Sequence, residues 1–121
     1  MSQANIMVTD RKAGQDVHIL DIQGEINAYA ENELMDAYTQ ASSNNARWII
    51  LNFSELEYMN SSGIGLLVTM LIRVQRQDQK LLAYGLTDHY QQIFELTRLS
   101  EAIVIYDDES AALEATNGAH S

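Results

Sequence analysis

The sequence predicts one α/β domain in which a mixed β-sheet of about four to five strands packs against about four helices. Its 121 residues and 46% hydrophobic content suit a single core. Strand-like and helix-like patterns alternate after an N-terminal hairpin, which favours a sheet covered by helices. No linker, internal repeat or low-complexity segment divides the sequence. We therefore expect a single domain spanning residues 1–121, with a core over about 6–113 and a C-terminal tail over 114–121.

The N-terminal third of the chain is predicted to form a β-hairpin followed by a helix. Residues 17–23 read V-H-I-L-D-I-Q, a β-rich run that stops at Gly24. Residues 6–9 can pair with this run across the turn residues 13–15. From residue 30 to 41, apolar side chains recur at spacings of three and four, which indicates an amphipathic helix.

The middle of the chain carries the most apolar strand pattern. Residues 48–51 read W-I-I-L, which is short enough for a strand and apolar on both faces, as a central strand should be. A loop is expected over residues 54–60. A second helical pattern starts at Ser61 or Ser62 and continues to about residue 77.

The C-terminal third continues the alternation of strand and helix. A strand is predicted over residues 81–84, followed by a helix that is N-capped by Asp88 and runs through Thr97. A last short strand over residues 103–106 and a last helix over residues 109–116 complete the prediction. This order favours a largely parallel or mixed sheet with right-handed crossovers.

The composition limits the classes of function. Seventeen acidic residues outnumber seven basic ones, for a formal charge of −10, so nucleic acid and anionic membranes should be repelled. There is no cysteine, which excludes disulfides, thiolate metal sites and thiol nucleophiles. The first residues lack the basic start and apolar run of an export signal, so a soluble, cytoplasmic protein is expected. A protein partner with a basic surface suits this charge best.

The segment 59–67, M-N-S-S-G-I-G-L-L, is the most informative part of the sequence. Its two hydroxyls, Ser61 and Ser62, stand where a helix begins, and a helix N-terminus stabilises an anion such as a phosphate. Gly63 and Gly65 omit side chains that would crowd a docked protein, although each costs about 1 kcal/mol of helix stability relative to alanine. The structural alternative is that the first serine is simply the N-cap.

The second helix has more apolar residues than one buried stripe needs. Leu66 and Met70 lie one turn apart on a separate face, so a partly exposed ridge beside the serine is a candidate docking surface. The alternative is that another element covers them. The predicted core face contains Ile64, Leu67, Val68, Leu71 and Val74.

The chain resembles the STAS domains of bacterial anti-sigma factor antagonists. The string M-N-S-S-G-I-G at residues 59–65 is the most specific part of the resemblance, and G-E-I-N-A at 24–28 supports it. The run D-H-Y-Q-Q-I-F-E-L-T at residues 88–97 adds to the pattern, and the similarity extends from about residue 6 to 113. The resemblance implies the STAS fold and a protein-binding switch.

The resemblance also implies how the switch works. The first serine of the motif, Ser61, would be phosphorylated by an anti-sigma factor that is itself a serine kinase, with Ser62 as the fallback acceptor. The unphosphorylated protein would bind the kinase, phosphorylation would release it, and a serine phosphatase would restore binding. A STAS scaffold that holds a larger signalling or transport assembly without phosphorylation is the alternative. Residues expected near the partner are Asn27, Asn60, Ser62, Gly63, Ile64, Leu66 and Met70.

Two positions depart from the usual pattern of this family. Acidic residues commonly stand where this sequence has Asn27 and Asn60. Asparagine keeps the size and much of the hydrogen bonding of aspartate but removes a negative charge beside the acceptor serine. We therefore expect the phosphorylated state to suffer less repulsion here.

Enzymatic sites are not indicated, and neither a cofactor nor a small-molecule substrate is expected. Gly63 and Gly65 lack the third glycine of a dinucleotide loop and the lysine of a P-loop, and no glycine precedes Ser61 as in a hydrolase elbow. The histidines lack the spacing of metal ligands, and the acidic pairs suit helix starts and solubility better than catalysis. These histidines are His18, His89 and His120.

Overall fold

The computed structural model describes residues 5–118 and contains one five-stranded sheet with helices on both faces. The strands lie in the order β1-β2-β3-β4-β5, which is also their order along the chain. The first pair is antiparallel and the other three pairs are parallel. The strands are β1 (Ile6–Lys12), β2 (Val17–Ile26), β3 (Trp48–Met59), β4 (Lys80–Tyr84) and β5 (Val104–Tyr106).

Four α-helices complete the domain, so the predicted fold class is confirmed. A short 3₁₀ turn, Ala28–Ala30, precedes the first helix, and a second one, Leu99–Glu101, precedes β5. The helices are α1 (Glu31–Ser43), α2 (Ser61–Arg76), α3 (Asp88–Leu96) and α4 (Glu109–Gly118). Helices α1, α2 and α3 share one core with the sheet, and α4 covers the opposite face. Part of the predicted tail therefore lies within α4, where Thr116 is buried.

The central strand behaves as its sequence predicts. In W-I-I-L, Ile49 and Leu51 enter the core beneath α1, α2 and α3, whereas Ile50 enters the core beneath α4. Side chains of a strand alternate between the two faces of the sheet, so both faces need an apolar residue here. All three side chains are fully buried.

The expected loop over residues 54–60 is wrong, because β3 continues to Met59. Its second half pairs with β2, and irregularities in the register let the two strands continue together to Ile26 and Met59. Strand β2 likewise does not stop at Gly24. That glycine has φ of 106°, and a Cβ there would collide with the carbonyl oxygen of Asn5, so the strand passes through a position that only glycine fills easily.

The cap of α3 also differs from the prediction. Thr87 occupies the N-cap position and Asp88 is the first helical residue, where its carboxylate lies in the first turn. An acidic side chain in this turn still interacts favourably with the helix dipole. The helix ends at Leu96, one residue before the predicted end.

Candidate functional site

The site lies where β3 ends and α2 begins, with Ser61 as the first residue of the helix. Asn60 is the N-cap, and its side-chain oxygen accepts a hydrogen bond of 3.0 Å from the backbone N–H of Gly63. Because Asn60 caps the helix, the hydroxyl of Ser61 is not required for that role. Both Ser61 and Ser62 are exposed. The structural alternative, in which the first serine is the N-cap, is therefore wrong.

The start of α2 is tied to its surroundings through the backbone. The N–H of Asn60 donates to the carbonyl oxygen of Ile26 at 3.2 Å, which links it to the end of β2. The hydroxyl of Tyr90 accepts a hydrogen bond of 3.0 Å from the N–H of Met59, which links β3 to α3. Three elements therefore hold the turn that presents Ser61.

Gly63 is required for the packing of α2 and does not lie on the protein surface. It is buried, and a Cβ at this position would overlap the carbonyl oxygen of Ile26. The helix approaches the end of β2 so closely that only glycine fits. The expectation that Gly63 makes room for a partner is wrong for this reason. Gly65, in contrast, is exposed and would meet no atom within 4 Å if it carried a Cβ.

The buried stripe of α2 keeps Leu67 and Val74 from the predicted core face, but the close approach at Gly63 shifts it toward Gly63 and Met70. The inner face of α2 consists of Gly63, Leu67, Met70 and Val74, which are the buried residues of the helix. Met70 is 0% exposed, so its predicted place on an exposed ridge is wrong. Leu66 and Ile64 are half-buried and pack against the core. Met70 therefore cannot contact a partner without disrupting the fold.

The outer face of α2 exposes two apolar side chains, one of which, Val68, was predicted to lie in the core. Val68 is 38% exposed and Ile72 is 43% exposed. Residues three and four apart lie on the same side of a helix, so these two side chains align with Ser61 and Gly65. We define the outer face of α2 as Ser61, Gly65, Val68 and Ile72. It begins at the exposed hydroxyl, and its exposed apolar side chains, Val68 and Ile72, lie about two and three turns further along the helix.

Asn27 lies at a second cap close to α2. Its side-chain oxygen accepts a hydrogen bond of 2.9 Å from the N–H of Tyr29, which caps the 3₁₀ turn Ala28–Ala30. This turn contacts α2. Both asparagines at the unusual positions, Asn27 and Asn60, therefore perform the capping for which aspartate is equally suited, without the negative charge.

An exposed tyrosine near the site was missed by the sequence analysis. Tyr29 is 60% exposed on the turn that contacts α2. Its signal was an aromatic residue between two alanines, two positions after the unusual Asn27. Exposed aromatic residues in such positions are frequent anchors in protein interfaces.

The electrostatics at the start of α2 suit an added anion. The first turn of the helix contains no acidic side chain, so no residue of that turn offsets the positive end of the helix dipole. Arg73 and Arg76 lie in the last turn, at the opposite end. A phosphate on Ser61 would thus lie at the positive end of a 16-residue helix.

The described residues 5–118 place the remaining candidate metal ligands as follows. They contain no group of three or more histidine, cysteine, aspartate or glutamate side chains that could hold a metal ion. His18 is buried and pairs with Asp10 at 2.6 Å, and the ring of His89 stacks edge-to-face on Tyr90. His120 lies outside the described residues. Within the same range, every helix is too short or too polar to cross a membrane.

The chain is similar to proteins of a known family. A family model described as STAS domain matches residues 9–112. An anti-sigma-B factor antagonist of Staphylococcus aureus (strain NCTC 8325 / PS 47) is 31% identical over 80 residues, which are 66% of this chain and 74% of that protein.

Two solved structures are similar in fold. An anti-sigma factor antagonist from Mycobacterium paratuberculosis superposes with a TM-score of 0.77 at 17% identity, covering 95% of this chain and 97% of that one. The Bacillus cell fate determinant SpoIIAA in its phosphorylated form superposes with a TM-score of 0.71 at 17% identity, covering 90% and 98%. At these identities the structural likeness concerns the fold alone.

Proposed function

Because the chain belongs to the STAS domain family, we propose that it is an anti-sigma factor antagonist controlled by phosphorylation of Ser61. The unphosphorylated protein binds a serine-kinase anti-sigma factor, phosphorylation releases it, and a serine phosphatase resets the switch. The chain itself acts by binding and not by catalysis. The observation that carries this proposal is the exposed hydroxyl of Ser61 on a helix that Asn60 already caps.

The position of Ser61 supports its role as the phosphoacceptor. A kinase needs an acceptor hydroxyl that it can reach, and Ser61 is exposed at the first position of α2. A phosphate adds about −1.5 to −2 charges at neutral pH, and the unpaired N–H groups of a helix start stabilise such an anion. The free protein can therefore carry the phosphate without a change of fold. Ser62 is exposed in the same turn and remains the fallback acceptor.

The outer face of α2 supports a docking role next to the acceptor. Exposed Val68 and Ile72 provide apolar surface, and Gly65 leaves room for close approach of another protein. Nothing within the described fold requires a glycine at position 65, although glycine costs a helix about 1 kcal/mol relative to alanine. Contact with a partner explains this cost. Leu66, Ile64, Asn27 and Asn60 border the same region and stay in the proposed interface.

Phosphorylation acts on such an interface through charge and hydration. A docked partner excludes water from the start of α2, and a phosphate there must lose its hydration shell, which costs free energy even opposite a basic surface. The whole chain is also strongly acidic, with a formal charge of −10, so the partner surface that fits it is basic. Added negative charge within a close-packed contact then favours dissociation through desolvation and steric crowding.

The proposal is tested by incubating the protein with its cognate kinase and ATP and mapping phosphate by mass spectrometry. Phosphate is expected on Ser61, and Ser61→Ala should abolish labelling while retaining kinase binding. Ser62→Ala is the matched control, since it removes the neighbouring exposed hydroxyl and should leave labelling intact. Ser61→Glu should abolish or strongly weaken binding. Stable assembly with other proteins and no phosphate on either serine would instead favour the STAS scaffold.

A further inference from the structure

Helix α4 covers the sheet face opposite α1, α2 and α3, and it does so mainly with small side chains. Its fully buried apolar residue is Ala112, and its largest apolar residue, Leu113, is only half-buried. The sheet surface beneath is made of large side chains that are all buried. These are Val17, Ile19, Ile50, Leu82 and Tyr84.

The first turn of α4 is held by an ion-pair network that reaches across the sheet. Arg11 on β1 donates from Nη2 to Oε1 of Glu109 at 2.6 Å, and the hydroxyl of Tyr84 donates to the same oxygen at 2.9 Å. Arg11 also makes two hydrogen bonds to Asp21, from Nε at 2.6 Å and from Nη2 at 3.1 Å. Arg11 therefore lies between two carboxylates, one on β2 and one on α4.

These hydrogen bonds shift the pKa values of the groups that they join. Hydrogen bonds from Arg11 and then from Tyr84 lower the pKa of Glu109. Burial alone would raise the pKa of Asp21, but hydrogen bonds from Arg11 and Asn52 outweigh it and lower that pKa. Hydrogen bonds to Asp21 and Glu109 raise the pKa of Arg11, so all three groups are charged at neutral pH.

A helix of this length has little stability of its own. Isolated helices shorter than about 12 residues are marginal in water, and α4 has 10 residues. Its persistence depends on docking, and alanine side chains contribute little apolar area to the contact. Elements with few buried contacts are those that open locally while the rest of a domain stays folded. The Arg11–Glu109 pair is the one long-range ionic contact of α4 among the described residues.

The geometry points to α4 as a strap, that is, a helix that opens as a separate unit while the rest of the domain stays folded. The Arg11–Glu109 ion pair is its latch, because it sets how often the apolar sheet surface beneath α4 is exposed. The latch can be removed without leaving a charge unpaired. When Glu109 is neutralised, Arg11 keeps its paired hydrogen bonds to Asp21. The strap lies on the sheet face opposite α2, so this inference does not depend on the proposed function.

The experiment is hydrogen exchange of backbone amides in the whole chain, comparing the wild type with Glu109→Gln. The amides of Leu113 and Thr116 on α4 should exchange about three- to fivefold faster, which corresponds to losing a half-exposed ion pair. The amides of Ile50 and Leu51 on β3 exchange through global unfolding, so in both proteins they should be far better protected than those of α4, and their exchange should rise steeply with low concentrations of urea while that of α4 rises little. Glu114→Gln is the matched control, since Glu114 is exposed on the same helix and forms no ion pair within residues 5–118.

The outcomes separate a strap from a general loss of stability. If the amides of α4 and β3 show the same opening free energy and the same urea dependence, α4 opens only with the whole domain and the inference is wrong. If Glu109→Gln and Glu114→Gln behave alike, the Arg11 contact is not the latch. Urea unfolding of the same variants checks that both are folded, and a loss of global stability in Glu109→Gln that is much larger than the change in α4 exchange accounts for contradicts the inference.

Discussion

The two faces of α2 obey different constraints. On the inner face, Gly63 touches the backbone of Ile26 and Met70 is completely buried, so each residue is explained by packing. On the outer face, Gly65 would meet no atom if it carried a Cβ, and Val68 and Ile72 are exposed apolar residues. Packing explains none of these three. A residue that the fold does not require is therefore a better indicator of an interaction site than a residue that packing explains.

The largest expected effect on stability comes from replacing Gly63 and Gly65 with alanine, one at a time. Gly63→Ala should destabilise the protein by about 4 kcal/mol, because its Cβ collides with a carbonyl oxygen that cannot move aside. Gly65→Ala should instead stabilise it by about 0.5 to 1 kcal/mol, since alanine is the better helix former and has open space. Urea unfolding measures both. Equal effects at the two positions would remove the distinction between the faces.

The buried and exposed apolar residues of α2 should also differ in their effects on stability. Met70→Ala is expected to lower the free energy of unfolding by about 3 kcal/mol, through lost burial and the cavity that remains. Ile72→Ala removes a side chain of similar size that is 43% exposed, and its cost should stay below about 1 kcal/mol. Thermal unfolding followed by circular dichroism compares them. A similar cost for both would mean that Ile72 is covered in solution.

Binding of the kinase should depend on the exposed residues of α2, which contribute little to stability. The double variant Val68→Ala/Ile72→Ala should weaken binding of the kinase about tenfold, or about 1.4 kcal/mol, while the variant stays folded. Leu96→Ala is a suitable control, because Leu96 is a more exposed apolar residue on α3, outside the outer face of α2. Calorimetric titration with the unphosphorylated proteins measures the affinities. Unchanged affinity in the double variant, or an equal loss with Leu96→Ala, contradicts docking on this face.

Acid should produce the smallest change in stability, and it should act on the carboxylates around Arg11, which do not belong to α2. The pKa values of Asp21 and Glu109 are lowered in the folded protein, so the stability they contribute is present above their ordinary values near pH 4. It is lost as the pH falls below about 4 and these carboxylates take up protons.

The size of this acid effect is limited by solvent. The side chains of Arg11 and Glu109 are each 40% exposed, so the loss should be on the order of 1 kcal/mol or less. Urea unfolding between pH 6 and about 3 should show a smaller decrease in Glu109→Gln than in the wild type. The same decrease in both proteins would mean that Glu109 does not contribute.

Local patterns were sufficient to predict most of the elements. The hairpin, the apolar central strand and the start of α2 depend on neighbouring residues, and all three were predicted at nearly their observed positions. The second half of β3 was not predicted. Half of its residues 54–59 are serine or glutamate, and the segment is extended because β2 pairs with it from a distant part of the chain. Such long-range pairing leaves little local signal.

The sequence by itself determined the fold class, the family resemblance and the serine at the start of a helix. Only the tertiary structure decided which side of that helix faces outward. Periodicity groups residues of a helix into stripes, but α2 is apolar around much of its circumference, so several stripes could have met the sheet. The contact between Gly63 and Ile26 selected one of them, because a backbone can approach that closely only where no Cβ intervenes. That choice buried Met70 and exposed Val68 and Ile72 beside Ser61.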